Sequence, residues 1–156
     1  MIEHLFGAEA DRIYRYARFV LGSRDEAKDV VQSTFLKAVR SWPSFRAECS
    51  PETWLWTIVR SVMRDRLRSL ARQRRGERLA ASPVPTEQAT SVSTEWQTLI
   101  LGLPVRERQV VVLSVVSDLP AAEVATRLDL SPTNVRVIRH RALERLRRAR
   151  EEGADS

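Results

Sequence analysis

Repeated helix-start signals constrain the fold of this chain more than any other feature of its sequence. Ser23 precedes Glu26 by three positions, SPE occupies residues 50–52, and SP occupies residues 131–132. Serine is a good N-cap, and proline fits the first helical turn because its missing N–H needs no partner there. A glutamate three positions after the cap is typical of a capping box. Apolar residues follow each signal at helical spacing, so the pattern predicts an all-α protein.

The first block, residues 1–75, is expected to fold as a bundle of three helices. The apolar spacing predicts helix one from Leu5 to Leu21, helix two from Ser23 to Pro43, and helix three from Ser50 to about Ala71. Val39 is placed on the buried face of helix two. Three amphipathic helices of this length can close a small core.

A change of composition separates this block from the rest of the chain. The stretch ASPVPTEQATSVST at 81–94 is rich in Ser, Thr, Pro and Ala and has no sustained period. It predicts a flexible linker, assigned to residues 76–94. Such a linker lets the two flanking blocks sample many separations in the free protein.

The second block, residues 95–150, is predicted to be a helix-turn-helix domain. A short helix is expected around 95–101, and another from Pro104 through VRERQVVVLSVV. The valine run has strand propensity, but a helix is favoured because Pro104 lies at a start position. Helical spacing over 121–128, a turn at 129–131 and a capped final helix complete the unit. The predicted fold is therefore two small helical domains, a three-helix bundle and a helix-turn-helix domain, joined by a flexible linker.

The final helix has one apolar side and one cationic side. The predicted buried stripe is Val135, Ile138, Ala142, Leu143 and Leu146. The opposite face is Thr133, Arg136, Val137, His140, Glu144 and Arg147. Two packed helices of any function would explain the stripe, but not the cationic face. In a helix-turn-helix protein the second helix lies in the DNA major groove, where such a face binds bases and phosphates.

The overall charge also favours a polyanionic partner. The net charge is +6 and the isoelectric point is near 10.6, which suit nucleic acid or an anionic membrane surface. Nucleic acid is favoured, since no apolar run approaches the roughly 18 residues that a membrane span needs. The N-terminus MIEHLFGAEADR lacks a signal-peptide pattern, so a cytoplasmic protein is expected.

Residues for catalysis or metal binding are not evident in the sequence. There is no nucleophile–base pair, glycine-rich phosphate loop or paired-carboxylate motif. Cys49 is the single cysteine, and His4 and His140 are far apart in the chain. We therefore expect a protein that is not an enzyme and uses no cofactor or metal.

The outer faces of helices two and three suggest further contacts. On helix two the face opposite the core carries an apolar residue among polar ones: Asp29, Ser33, Leu36 and Arg40. An exposed leucine at such a position suits a protein interface, although single exposed apolar residues are common. On helix three the outer face is expected to carry Trp56, Arg60, Arg64 and Arg68. An aromatic residue followed by arginines suits unpaired bases beside a phosphate backbone.

Three stretches of the chain carry a family resemblance. They are DEAKDVVQSTFLKAV at 25–39, SFRAECSPETWLWTIVRSVMRDRLR at 44–68, and LPVRERQVVVLSVVSDLPAAEVATRLDLSPTNVRVIRHRALERLRR at 103–148. With both blocks in this order and a linker between them, the chain resembles an extracytoplasmic-function (ECF) sigma factor of the sigma-70 family. This minimal bacterial sigma type has only conserved regions 2 and 4, matched here over about 5–75 and 95–148.

The resemblance implies a transcription-initiation role and three sets of site residues. Binding to core RNA polymerase is implied for Asp29, Gln32, Ser33, Leu36 and Arg40. Contacts with minus-10 DNA are implied for Phe45, Arg46, Ala47, Glu48, Cys49, Trp54, Trp56, Arg60 and Arg64. Contacts with minus-35 DNA are implied for Thr133, Asn134, Arg136, Val137, His140 and Arg141. Core polymerase and promoter DNA are the implied partners. An anti-sigma factor is left open as a third partner.

Two other classes of protein stay open on the residues alone. One is a stand-alone helix-turn-helix transcriptional regulator, which would bind a palindromic site as a dimer. The other is an adaptor that binds a protein through the exposed face of helix two.

Overall fold

The computed structural model describes residues 2–80 and 94–155, and the regular elements in these two segments are helical. In chain order, the α-helices of the described segments are α1 (Ile2–Leu21), α2 (Arg24–Ser41), α3 (Pro51–Ala80), α4 (Thr94–Leu101), α5 (Val105–Val111), α6 (Ala121–Leu128) and α7 (Pro132–Ala154). A 3-10 turn, Trp42–Ser44, follows α2, and a π-helical turn, Val112–Val116, follows α5. The predicted all-α class is confirmed, and the valine run is helical.

Serine side chains cap the helices at the predicted starts. The Ser23 hydroxyl accepts a hydrogen bond from the Glu26 backbone N–H at 3.2 Å, and the Ser131 hydroxyl accepts one from the Asn134 N–H at 3.1 Å. At α3 the Ser50 hydroxyl accepts from the Thr53 N–H at 3.1 Å. Each cap satisfies a backbone donor that has no partner within the helix, so these boundaries follow from local sequence.

The end of α3 differs from the prediction. The helix continues to Ala80 instead of ending near Ala71, so residues 76–80, assigned to the linker, are helical. Residues 71–76 are exposed, and their sequence lacks the regular spacing of apolar residues by which a helix is predicted. Their arginine and glutamine side chains nevertheless favour helix. Residues 81–93, where the flexible linker was predicted, lie outside the described residues.

The first three helices pack against one another as predicted. Ile13 of α1, Val30 of α2 and Val59 of α3 are fully buried in their shared core. The placement of Val39 in this core is wrong, because it is exposed. The buried face of α2 includes Ala38, and Val39 lies outside this face because it is about 100° further around the helix.

Helices α5, α6 and α7 form the second packed unit. Asp129 adopts a left-handed conformation with φ 56° after α6, which makes the tight turn before α7. Four residues of the predicted stripe are buried: Val135, Ile138, Ala142 and Leu146. The fifth, Leu143, is exposed, so its predicted burial is wrong. Like Val39, it lies one position beyond a buried alanine.

The two units are in direct contact in this structure. Helix α1 packs against α4 and α5, and α3 packs against α6. The buried apolar residues of both units form one continuous cluster. Gly22 ends α1 with φ +77°, and a Cβ atom there would lie 3.0 Å from the Leu101 side chain. The sequence did not predict this contact between the two units.

Candidate nucleic-acid and protein interfaces

The start of α7 presents an exposed polar and cationic surface. All the residues predicted to contact minus-35 DNA are exposed: Thr133, Asn134, Arg136, Val137, His140 and Arg141. They occupy the first three turns after the Ser131 cap. Further along the same helix, Glu144 accepts a hydrogen bond from Arg147 at 2.9 Å, which lowers the pKa of the Glu144 carboxyl. This acidic group is therefore paired, and the face remains cationic.

An aromatic cluster holds the loop between α2 and α3. The Phe45 ring stacks on Trp42 with centroids 5.4 Å apart and lies 5.2 Å from the Trp54 ring. Trp42 and Trp54 also meet edge to face at 5.5 Å. These ring contacts fix the two ends of the loop, so Phe45 and Trp54 stabilise its conformation. Trp42 was not among the predicted site residues, although three aromatic residues around one loop are a readable signal.

The tip of this loop is open to solvent. Its exposed residues are Arg46, Ala47, Glu48 and Cys49. Ala47 has φ 57°, a left-handed backbone conformation that residues with a Cβ rarely adopt. A loop with fixed ends and exposed side chains at its tip can form a receptor for a group that enters from solvent.

The prediction that Trp56 lies on the outer face of α3 is wrong. Its side chain is fully buried, and its indole N–H donates to the Glu9 carboxylate at 3.1 Å. The ring packs edge to face on Tyr16 at 5.4 Å. Trp56 precedes Val59 and Met63 by three and seven positions, so it belongs to the buried stripe of α3.

The arginine residues of α3 line a cleft between the two units. Arg60, Arg64 and Arg68 lie on one wall and Arg106 of α5 on the other, around a volume of about 610 Å³. Arg64 and Arg68 are exposed. Arg60 is half-buried, and its guanidinium donates to backbone carbonyls of α6. The cleft carries the charge expected of a surface that binds a polyanion.

The outer face of α2 has an apolar centre with a charged border. Leu36 is 48% exposed, and Val39 beside it is exposed as well. Arg66 of α3 pairs with Asp29 at 3.2 Å and with Glu26 at 3.3 Å. Of the residues predicted to bind polymerase, four are exposed, namely Asp29, Gln32, Leu36 and Arg40, and Ser33 is half-buried.

Neither a metal-binding cluster nor a membrane-spanning helix is present in residues 2–80 and 94–155. No group of three His, Cys, Asp or Glu side chains in these segments could hold a metal ion. None of the helices there combines the length and apolar character that crossing a membrane requires.

Comparison with known proteins identifies the family of this chain. Residues 5–73 match Sigma-70 region 2, and residues 93–146 match Sigma-70, region 4. The chain is 29% identical over 154 residues to the ECF RNA polymerase sigma factor SigW of Bacillus subtilis, with 88% of this chain and 82% of that protein covered. It is 30% identical over 148 residues to the ECF RNA polymerase sigma factor SigD of Mycobacterium bovis, covering 86% and 70% respectively. The chain belongs to the ECF sigma factors.

A solved structure supports the fold of this sigma factor. The sigma factor RpoE of Bartonella quintana, in complex with the anti-sigma factor NepR, superposes with a TM-score of 0.74. The match covers 94% of each chain at 18% sequence identity. In this ECF sigma factor, region 2 corresponds to α1–α3 and region 4 to α4–α7. The cleft lined by Arg60 and Arg106 therefore lies between regions 2 and 4.

Proposed function

We propose that this ECF sigma factor initiates transcription through three separate surfaces, one for core RNA polymerase and two for promoter DNA. The observation that carries the proposal is the exposed cationic start of α7, joined in one chain to a region 2 that exposes Leu36 and the α2–α3 loop. In this proposal the protein acts by binding polymerase and promoter DNA in the bacterial cytoplasm.

The start of α7 reads the minus-35 element in the major groove. Arg136 lies in the second turn, where a guanidinium can form two hydrogen bonds with a guanine. Arg141 lies further from the helix start and binds a phosphate. The full minus-35 set is Thr133, Asn134, Arg136, Val137, His140 and Arg141.

The α2–α3 loop selects a minus-10 base, and α3 binds the strand beside it. A base can be read on its pairing edge only after it leaves the stack, which costs a few kcal/mol and requires a pocket that receives it. Residues 46–49 form that pocket, and the packed rings of Phe45 and Trp54 hold it in place. Arg60 and Arg64 hold the phosphate backbone, while Trp56 supports α3 from the core.

Core polymerase binds the outer face of α2. The apolar side chain of Leu36 is the anchor, and polar residues surround it as in the rim of a protein interface. Asp29, Gln32, Ser33 and Arg40 complete this surface. The interface accounts for an exposed leucine on a face that is otherwise polar.

An anti-sigma factor is proposed as a further partner. The Bartonella quintana sigma factor RpoE, which shares this fold, was solved in complex with the anti-sigma factor NepR. A protein inhibitor of that class would hold this sigma factor away from polymerase until a signal releases it.

Reconstituted transcription from a promoter library tests the proposed function. We expect transcripts only when the protein and core RNA polymerase are both present. Tight binding to a palindromic site without polymerase would instead indicate a stand-alone regulator. Failure in both assays, with binding to another protein through α2, would indicate an adaptor.

A further inference from the structure

The cleft between α3 and α5 brings together arginine side chains that have no acidic partner in the described part of the chain. Four arginines line it: Arg60, Arg64, Arg68 and Arg106. Within residues 2–80 and 94–155, the side chains of Arg64 and Arg68 form no hydrogen bond or ion pair. Arg106 donates to the neutral Gln109 amide oxygen at 3.4 Å, and Arg60 donates to backbone carbonyls of α6. The positive charge of the cleft is therefore not neutralised by these neighbours.

The positions of these arginines favour a ligand that carries several negative charges close together. Arg60, Arg64 and Arg68 are four residues apart, so they follow one side of α3. Arg106 lies on the opposite wall, on α5. Like charges at this helical spacing repel one another, and charges of one sign around a cleft raise its potential. An anion between the walls would remove this repulsion and could accept hydrogen bonds from both of them.

The size of the cleft suits a small molecule. Its volume of about 610 Å³ lies within the range of roughly 300–1,000 Å³ that is usual for small-ligand sites. Arg68 and Arg106 are not among the residues predicted to contact promoter DNA. Promoter binding therefore leaves half of the arginine lining of this cleft without a function.

Apolar side chains line the same cleft as the arginines. Leu67 is half-buried, Val105 is 37% exposed, and Leu128 is buried. A free phosphate ion would gain nothing from these side chains. The flat ring of a nucleobase would gain by leaving water for such a surface.

Asp129 distinguishes further between possible ligands. Its side chain is exposed in the cleft lining and forms no ion pair or hydrogen bond with the described residues. An ionised carboxylate only accepts hydrogen bonds, so it would repel a ligand made of phosphates alone. It can accept N–H groups from the pairing edge of a nucleobase. The lining thus combines phosphate donors, apolar surface and an acceptor for a base.

We propose that this cleft is a binding site for a nucleoside polyphosphate, with the phosphates on the arginines and the base between Val105 and Asp129. A guanidinium binds phosphate oxygens through two parallel hydrogen bonds, and several guanidinium groups suit a chain of phosphates. The α6 carbonyls hold Arg60 in place at the cleft before any ligand binds. This site goes beyond the proposed function and does not depend on it, because it requires neither polymerase nor DNA.

Calorimetric titration of the intact free protein with guanosine triphosphate (GTP) tests the site. We expect saturable binding at one site. Arg68→Ala and Arg106→Ala should each weaken it by about 10-fold or more, because each removes a charge-assisted hydrogen bond. Both residues are exposed, so the fold should persist. Arg72→Ala is the matched control, because Arg72 is an exposed arginine of α3 outside the cleft lining, and it should bind GTP as wild type does.

Inorganic tripolyphosphate separates phosphate binding from recognition of the nucleoside. We expect wild type to bind it at least about 10-fold more weakly than GTP, since it has no base for the apolar surface and Asp129. Asp129→Asn removes the charge but keeps the turn, because asparagine also tolerates the left-handed conformation found there. This variant should bind GTP more weakly and tripolyphosphate no more weakly than wild type.

The absence of saturable GTP binding would overturn the site. Equal losses in Arg68→Ala and Arg72→Ala would do the same, because they would indicate a general effect of positive charge. Tripolyphosphate that binds as tightly as GTP would overturn recognition of the nucleoside. These results are separable from the proposed function, which is tested with polymerase and promoter DNA. A protein that binds GTP in this cleft but supports no transcription would contradict the proposed function and support the site.

Discussion

Exposure distinguishes the individual residues that are available to partners from those that hold the fold. Leu36 and Trp56 are both large apolar residues on region 2 helices, but Leu36 is 48% exposed and Trp56 is buried against Tyr16. Burying an exposed leucine at an interface stabilises a complex, whereas a core tryptophan stabilises the free protein. The two residues should therefore respond differently to substitution.

Leu36→Asp should weaken binding to core polymerase by about 30-fold or more, because a buried anchor is typically worth about 2 kcal/mol or more and the aspartate adds an unpaired charge. Competition for core polymerase against a labelled sigma factor measures the change. Leu143→Asp, at an exposed leucine of α7, is the control and should compete normally. Normal competition by Leu36→Asp would remove this face from the interface.

Arg136→Ala should weaken minus-35 binding by about 1–3 kcal/mol and relax the preference at one base pair, because it removes a contact with a base edge. Arg141→Ala should weaken all sequences alike and reduce the slope of affinity against salt by about one, because it removes a phosphate contact. Selection from a randomised minus-35 library with the holoenzyme measures both. Unchanged base preferences for Arg136→Ala would exclude it from sequence reading.

Helical spacing predicted which region 4 residues are exposed, but it failed at the edges of the buried stripes. Arg136 and His140 are exposed as predicted. Val39 and Leu143 are apolar residues that lie one position from a buried alanine, about 100° around the helix. The error for Trp56 is the opposite one: it was predicted to be exposed because of the arginine residues near it on α3, and it is buried. An apolar residue at the edge of a stripe can be assigned only when the packing partner is known.

The α2–α3 loop is held in place at its two ends and exposed at its tip. Its ends are tied by the Trp42, Phe45 and Trp54 rings, and Ala47 at the tip has a positive φ. The helices on both sides are capped and packed, so the loop can change sequence without moving them. This separation suits an element that varies in specificity.

Replacing residues 46–49 with the corresponding loop of an ECF sigma factor that has a different promoter preference should change the minus-10 preference and leave the minus-35 preference unchanged. Phe45 is retained because it anchors the loop. Arg60→Ala is the contrasting variant and should lower open-complex formation on every promoter, since phosphate contacts carry little sequence information. Transcription from a randomised minus-10 library measures both. Unchanged preferences in a chimera that binds polymerase normally would move base selection to α3.

Local signals predicted helix starts better than helix ends. The caps at Ser23, Ser50 and Ser131 are hydrogen bonds within four residues, so the sequence contains both partners. The end of α3 at Ala80 lies in an exposed stretch without an apolar period. The π-helical turn Val112–Val116 also had no signal in the sequence, which favoured a continuous helix through the valine run.

At the scale of the whole molecule, the contact between regions 2 and 4 could not be predicted from the sequence. Its polar pairs join residues far apart in the chain, such as Glu9 with Arg127 and Val20 with Arg108. Glu9, Arg108 and Arg127 each have the sequence surroundings of a solvated helix face, and the Val20 atom in the second pair is a backbone carbonyl, which no side-chain pattern indicates. The composition of 81–94 also favoured independent blocks, although a flexible linker permits contact as readily as separation.

The buried Tyr16 phenol at this contact makes stability depend on pH in alkaline solution. Burial raises the pKa of Tyr16 far above its ordinary value of 10.0, against the smaller opposing effects of the Gln109 hydrogen bond and the Arg106 and Arg60 charges. The unfolded chain therefore loses this proton near pH 10 while the folded protein retains it. The folded state binds more protons above that pH, so its free energy of unfolding must fall as pH rises.

Tyr16→Phe should remove this alkaline loss of stability, because phenylalanine keeps the ring contact with Trp56 and cannot ionise. Between pH about 10 and 11, the free energy of unfolding of wild type should fall by about 1 kcal/mol more than that of Tyr16→Phe. Urea unfolding at a series of pH values measures the difference. Tyr14→Phe, at a half-buried position of the same helix, is the matched control and should keep the wild-type slope. Parallel curves for wild type and Tyr16→Phe would show that the phenol keeps access to water, and that regions 2 and 4 do not seal it at their contact.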